Sequence, residues 1–374
     1  MQNYAIYRLP FEDHFTLLHQ SKGQPLVVNS IAELSGKEGF VFAPFEQSEE
    51  CPIVLIEPDE IDICGLDAFS PQTESVLPEI DDAAAKESYA LDFEKFHQQL
   101  VENKFSKIVL ARIQNIGQVS AMALNDLERL FVKACEMYPR MFIALVSAEL
   151  SGTWLMATPE ILLDGKEGEW HTMALAGTQS VEEAWKLYQV KQQFHQRPVD
   201  DTSDDKWLQQ VEWSQKNIEE QRYVASYITN CLEKFADEFK ENGPYTVRAG
   251  NLVHLRSDFT FSMKSDEHIG DVLDILHPTP AVCGIPKENT RQFILENEHS
   301  PRKYYSGFCG PLAMEGETHL YVSLRCMEIL DKQFCLHAGG GLLKDSTLQN
   351  EWHETCEKMK TMRALIDDQK NKRN

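Results

Sequence analysis

Residues 141–163 read MFIALVSAELSGTWLMATPEILL. Three apolar runs follow one another, at 141–147, 154–157 and 161–163, and the last two flank a turn at Thr158-Pro159. Their β-branched and aromatic content predicts strands. The run 141–148 is the longest apolar stretch of the chain. It is far shorter than the ~20 residues of a membrane-spanning helix, so no span is expected.

Working outward, residues 92–103 read as a helix followed by a strand at 107–112, and residues 124–137 as a second helix. A long helix is expected from Asp205 to about Lys240, on the stripe Ile218, Ala225, Ile228, Leu232 and Phe235. Strands are predicted at 319–325 and 333–336, and a last helix from about 348 to 367. Residues 1–67 mix short β-like runs at 25–28, 39–43 and 53–56 with turns. The polar stretch SPQTESVLPEIDDAAAKES, from Ser70, is expected to connect them to the rest. Helices and strands interleave without regular βαβ units. This pattern predicts an α+β fold with large antiparallel sheets instead of a doubly wound parallel sheet.

The 374 residues are 42% hydrophobic and 25% charged, enough apolar surface for an ordinary folded core. Lys and Arg number 36 against 59 Asp and Glu, a formal charge of -23. Such a surface repels nucleic acid and anionic lipid, although local cations or a metal can still receive a small anion. The basic residues Lys370, Lys372 and Arg373 form too short a tail to change this. The 9 cysteines are odd in number and form no CxxC pair, which suits reduced thiols in a cytosolic protein. The start, MQNYAIYRLPFEDHF, has no signal-peptide pattern, so a cytoplasmic location is expected.

Several residues can carry chemistry. Glu351, Glu354 and Lys358 share one face of the last helix, beside an apolar stripe of Trp352, Cys356 and Met359. Alone they also read as a solvated face with one Glu–Lys pair worth about 0.3–0.5 kcal/mol. Ala338-Gly339-Gly340-Gly341 precedes them, and glycines let backbone N–H groups close on an anion, although a tight turn uses them equally well. Glu220 leans towards the apolar side of the long helix, or else is an exposed acid beside Glu219. Turned inward, it joins the others in a set of carboxylates with no His or Cys cluster, which points to Mg2+ over zinc.

Lys107 heads a strand, either as a snorkelling surface lysine or as a base. As a base it must be neutral, which from a reference pKa of about 10.4 costs ~4.6 kcal/mol at pH 7. Burial can supply that shift. Glu160 lies at a turn, where a carboxyl with a raised pKa can serve as a general acid. Arg325 shares a face with Tyr321 and Ser323 on the expected strand 319–325; there it is either a bidentate carboxylate ligand or a sheet-surface charge. His277, in a proline-rich rigid loop, can be solvated, a ligand or a pocket wall.

In order, KIVLAR (107–112), ATPE (157–160), ALAGT (174–178), KNIEEQ (216–221), LHPTPAVCGIP (276–286), RKYYSG (302–307), SLRC (323–326), AGGGL (338–342) and EWHETCEK (351–358) resemble the blocks of the chorismate-utilising enzymes. The resemblance covers residues 90–365 and, within that family, is most similar to isochorismate synthases. Lys107 stands where the water-using members carry lysine and anthranilate synthases glutamine. Ala176 stands where aminodeoxychorismate synthases carry a nucleophilic lysine, and HPTPAV looks more like isochorismate than salicylate synthases.

The resemblance implies one α+β unit, two large antiparallel sheets packed as a sandwich with outer helices, as in anthranilate synthase component I. Residues 1–85 would complete the fold and 86–374 would form the catalytic region. It implies Mg2+-dependent isomerisation of chorismate to isochorismate. Lys107 would be the general base for water attacking C2, and Glu160 the general acid for the C4 hydroxyl. Glu220 and Glu354 would bind Mg2+, with Glu351 assisting through water. Gly177, Thr178, His277, Tyr305, Arg325, Gly339 and Lys358 would hold or line the substrate.

Salicylate synthase, which also eliminates pyruvate, is the nearest alternative; a non-catalytic Mg2+-dependent ligand-binding protein is a different one. Menaquinone synthesis is favoured over siderophore synthesis as the pathway. A monomer is expected, without a glutamine amidotransferase subunit. The chain departs from the family pattern at Gln179 (commonly Arg), Gln221 (commonly His), Gly340 (frequently Ala), Leu348 (often Pro) and Met173 (Glu in some members).

Overall fold

The computed structural model describes residues 3–66, 83–117, 122–194, 205–263 and 268–366. Among them, two antiparallel sheets of nine strands each carry the fold. The first runs edge to edge through Gly284–Ile285, Lys107–Gly117, Gln333–Leu342, Cys326–Leu330, Gly152–Thr158, Phe142–Ala148, Asn3–Arg8, His14–Gln20 and Glu60–Gly65. The second runs through Glu238–Ala249, Leu252–Ser262, Glu169–Ser180, Ile161–Lys166, Glu317–Val322, Phe308–Leu312, Gly39–Ala43, Ile53–Ile56 and Leu26–Val28.

The strand Phe142–Ala148 shows why its sequence is unbroken apolar. Phe142, Ala144, Val146 and Ala148 enter the layer between the sheets, while Ile143 and Leu145 pack towards the helices Leu124–Met137 and Leu348–Ile366. Side chains alternate with period two, and here both faces are buried. Between the sheets, Phe42 stacks on Tyr304 at 4.1 Å and Phe142 on Tyr321 at 4.2 Å. The helices Gln215–Phe235 and Ile269–Leu276 cover the outer face of the second sheet through Val224, Ile228, Leu232 and Leu273. The result is the α+β sandwich with outer helices. The N-terminal strands extend both sheets: Asn3–Arg8 pairs with Phe142–Ala148, and Gly39–Ala43 with Phe308–Leu312.

The chain changes sheet twice in neighbouring places. It leaves the first sheet after Thr158 and enters the second at Ile161; it leaves the second after Val322 and returns to the first at Cys326. The two crossings are hydrogen-bonded to each other, Val322 N to Glu160 O at 2.9 Å and Ala157 N to Arg325 O at 3.2 Å.

Several elements differ from the sequence expectation. The helix at 92–103 begins earlier, as Ala83–Val101, because AAAKE is strongly helix-forming. Residues 83–88 of the expected connection are therefore helical, while 70–82 and the basic tail lie outside the described residues. The long helix at 205–240 is instead a short 3-10 turn, Asp205–Gln210, the helix Gln215–Phe235 and the start of the strand Glu238–Ala249. Ser214 starts the helix by accepting a bond from Asn217 N. Ile218 of its expected stripe is 46% exposed, and Glu220 and Gln221 lie on the buried face instead. The strand at 319–325 ends at Val322. Helices Val181–Phe194, Ile269–Leu276 and Lys287–Asn297 were not foreseen. All nine cysteines are free thiols, and no described helix is long and apolar enough to cross a membrane.

The strand Lys107–Gly117 lies near one sheet edge, where backbone groups lack a full neighbour strand. A buried ion pair takes them up. Glu298 Oε1 accepts from Ala111 N at 2.7 Å, and Arg302 donates to Val109 O at 2.9 Å and Val282 O at 2.6 Å. Arg302 also bonds Glu298 through Nε at 2.7 Å and Nη2 at 2.8 Å. Removing one partner leaves an uncompensated buried charge, which typically costs about 3–5 kcal/mol. Arg302→Met should therefore lower the urea unfolding free energy by about that amount; a loss below ~1 kcal/mol would show that the pair does not hold the edge.

Candidate active site

The crossings place Glu160 and Arg325, distant in sequence, in one buried seam. Glu160 is 2% exposed and its Oε1 has no hydrogen-bond partner among the described residues. Burial raises its pKa from 4.5 to about 8, although Lys107, Arg325 and Lys358 pull the other way. Arg325 is also buried, with Nη1 unpartnered and a backbone φ of 44°. Burial lowers its pKa to about 10 against the opposing effect of Glu160, so it remains a cation at neutral pH. Arg325 does not share a strand face with Tyr321 and Ser323, because the chain has left the strand before reaching it.

Lys107 is fully buried at the head of its strand. Its Nζ donates to Pro280 O at 2.7 Å and meets Glu220 Oε1 at 3.1 Å. One helical turn before Glu220, Lys216 meets Glu351 Oε1 at 2.5 Å. Lys358 meets Glu354 Oε1 at 2.8 Å and donates to Gly339 O at 2.8 Å. Each of the three carboxylates thus has its own lysine.

These carboxylates converge on Gly340 and Gly341. A Cβ on Gly340 would stand 3.2 Å from Glu351 Oε2 and 3.4 Å from Glu354 Oε1; one on Gly341 would overlap Glu220 Oε1. Glycine is needed here for this close approach. Burial and the Glu354 carboxylate push Glu351 up to about 7 in spite of Lys216. Burial also opposes the charge on Glu354, but Lys358 and Lys216 more than offset it and hold its pKa below the ordinary value. As placed, no three His, Cys, Asp or Glu side chains among the described residues are grouped to share one metal ion. The donor set nonetheless fits a hard divalent cation in its chemistry: it is all oxygen, it surrounds a glycine cradle, and Glu351 Oε2 is buried without a partner.

Gly177, Thr178, Tyr305, Gly339 and Lys358 line the same cavity as Glu160, Glu220 and Arg325. Lys107, Glu351 and Glu354 are not in this lining: Lys107 pairs with lining Glu220 and Glu354 with lining Lys358, whereas the partner of Glu351, Lys216, does not line the cavity either. His277 is not brought to the lining: its ring packs edge-on against Phe308 at 5.1 Å, and burial, then Lys287, lowers its pKa to about 3. Ala281 and Val282 are the residues of its loop that reach the cavity.

The sequence reading missed His254, His337 and Lys216. His254 and His337 line the cavity, and Tyr305 stacks on His337 at 5.5 Å. Burial, then Lys303, lowers the His337 pKa to about 3, so the ring is neutral. Lys216 had a usable signal, since it precedes Glu220 by four positions on one helix face. The histidines had none, because each occupies an ordinary position in an alternating strand.

Comparison with known proteins agrees with this geometry. Residues 64–367 match the chorismate binding enzyme family. Isochorismate synthase MenF of Escherichia coli (strain K12) is 29% identical over 275 residues, which are 71% of this chain and 57% of that protein. Isochorismate synthase EntC of the same organism is 29% identical over 259 residues, 68% of this chain and 61% of that one. The match therefore spans less than two thirds of either relative. The crystal structure of a putative 2,3-dihydroxybenzoate-specific isochorismate synthase, DhbC, from Bacillus anthracis superposes with a TM-score of 0.77 at 21% identity, covering 98% of this chain and 97% of that one. Its likeness is one of fold. With a sandwich of this topology and a family match over most of its length, the chain belongs to the chorismate binding enzyme family.

Proposed function

We propose that the chain catalyses the Mg2+-dependent, reversible isomerisation of chorismate to isochorismate. The observation that carries this reading is the buried pairing of an acid and a cation. A carboxyl that stays protonated at neutral pH, Glu160, lies in one cavity with a guanidinium that has a free donor, Arg325. Lysine at 107 and alanine at 176 support water as the nucleophile, since Ala176 offers no amine for a covalent adduct.

Chorismate is a dianion, and Arg325 and Lys358 present cations to it in the cavity. The water oxygen bonds to C2 while its proton passes to the free amine of Lys107. The ring double bonds shift from C1=C2 and C5=C6 to C1=C6 and C4=C5. The C4–O bond breaks with its electron pair, and the departing hydroxyl takes the Glu160 proton and leaves as water. One water enters, one leaves, and Lys107 and Glu160 return to their first states through solvent. Glu220 Oε1 stands 3.1 Å from the Lys107 Nζ, which places the base beside a carboxylate proposed to hold the metal. Glu220, Glu354 and Glu351 are the residues that would hold Mg2+, whose chemistry there is neutralisation of a substrate carboxylate.

Chorismate incubated with the protein and Mg2+ should give isochorismate as the main chromatographic product, and chelation by EDTA should abolish it. Salicylate with pyruvate as the main product would replace this reading with that of a salicylate synthase. Lys107→Gln should lose at least about a hundredfold in kcat while keeping its fold, checked by its circular dichroism spectrum, whereas near-normal turnover would remove Lys107 from the role of base.

Glu160 also makes a stability prediction. Its folded pKa of about 8 lies above the ordinary 4.5, so the folded state binds the extra proton between these values. The stability it contributes is full below the lower value and is lost as pH rises through the upper one. Glu160→Gln cannot titrate. Its urea midpoint should therefore gain on that of the unaltered protein between pH 5 and pH 9, and curves that stay parallel would contradict the buried neutral carboxyl.

A further inference from the structure

The Arg325 guanidinium meets a residue outside every motif block, His254. A guanidinium has only N–H donors. The nitrogen it meets, His254 Nε2 at 2.5 Å from Nη2, must therefore accept, which leaves the ring hydrogen on Nδ1. Nδ1 has the matching acceptor in Gly177 O at 3.0 Å, with Thr178 Oγ1 also near at 3.4 Å. His254 is buried; burial, then the Arg325 and Lys358 charges, holds its pKa far below the usual histidine range.

The Gly177 carbonyl is itself fixed. The strand Glu169–Ser180 shifts register against Leu252–Ser262 between Ala176 and Thr178, and Gly177 has a φ of 65°. A Cβ there would stand 3.2 Å from Asn217 Cβ on the neighbouring helix. Just before this bulge, the buried Gln221 bridges the strand backbone. Its Oε1 accepts from Ala176 N at 2.9 Å, and its Nε2 donates to Ala174 O at 3.2 Å and Ser257 Oγ at 3.4 Å. A carboxamide offers donor and acceptor side by side, like a peptide edge; an imidazole carries its two nitrogens on divergent vectors and cannot make the same bridge.

We propose that His254 is the positioning residue that aims the Arg325 guanidinium at the substrate, and that Gln221 sets where His254 stands by fixing the bulge at Gly177. This inference rests on the reading of the cavity as a chorismate site. At one end of the relay a helix grips a strand; at the other, Nη1 of Arg325 is left free and directed by its neighbour Nη2. His254 acts through Arg325 and not on the reacting atoms.

The test is calorimetric titration of chorismate, with Mg2+, into full-length protein carrying Glu160→Gln to stop turnover. Adding His254→Leu should raise the chorismate Kd at least tenfold while moving the thermal midpoint little. His254→Gln, which can still donate and accept, should recover most of that loss. With Arg325→Met present as well, His254→Leu should change Kd less than twofold, because nothing remains for it to aim. An unchanged Kd in His254→Leu, or losses that simply multiply in the Arg325→Met background, overturns the relay.

Should the leucine variant fail to fold, Gln221→Met reads the same chain one step earlier: a Kd raised at least threefold supports the relay and an unchanged Kd overturns it. Wild-type protein that neither binds nor converts chorismate overturns the reading of the site and the relay together. Normal wild-type turnover with an unaffected His254→Leu overturns the relay alone.

Discussion

The site depends on two hydrogen bonds between the places where the chain passes from one sheet to the other. Val322 N to Glu160 O and Ala157 N to Arg325 O lock the crossings side by side. Both crossings lie in the seam of a sandwich whose interior is aromatic and apolar, so the side chains they carry are buried together. Desolvation penalises whichever form is charged. The carboxyl yields and keeps its proton, while the guanidinium, far more basic, keeps its charge. Proximity with opposite response to burial is what separates an acid from a cation within one seam.

Charge inside the cavity is arranged against the charge outside. The chain carries a formal -23, yet four basic side chains, Lys107, Lys216, Arg325 and Lys358, gather at the site. Three of them face the carboxylates of Glu220, Glu351 and Glu354. With Glu160 uncharged, Arg325 is the cation left without a counter-charge, which gives an anion a reason to enter. The carboxylate trio also explains the glycines: any side chain at 341 would collide with Glu220.

Much of this was legible in the sequence where the signal was local. The antiparallel α+β class followed from helices and strands that interleave without regular βαβ units, and the face shared by Glu351, Glu354 and Lys358 followed from helical spacing. Glu220 was half legible: Ala225, Ile228 and Leu232 of the expected stripe are buried and Glu220 does lean to that side, while Ile218 turns out to be exposed. Arg325 was named for the wrong local reason; alternation along a strand cannot foresee a chain that turns out of the sheet after Val322. His254 and His337 were invisible, since only the tertiary register sets one against Arg325 and the other beneath Tyr305. His277 shows the reverse: a rigid proline-rich loop marks a site wall, but sequence does not say which of its residues faces in.

The pairing of Gly39–Ala43 with Phe308–Leu312 has a consequence for biosynthesis. An early-made strand of five residues has one of its hydrogen-bonding edges reserved for a partner translated near the end of the chain. At roughly 5–20 residues per second, that edge waits on the order of tens of seconds on the ribosome. During this interval an apolar strand is available to neighbouring nascent chains, and its shielding falls to chaperones, not to the fold.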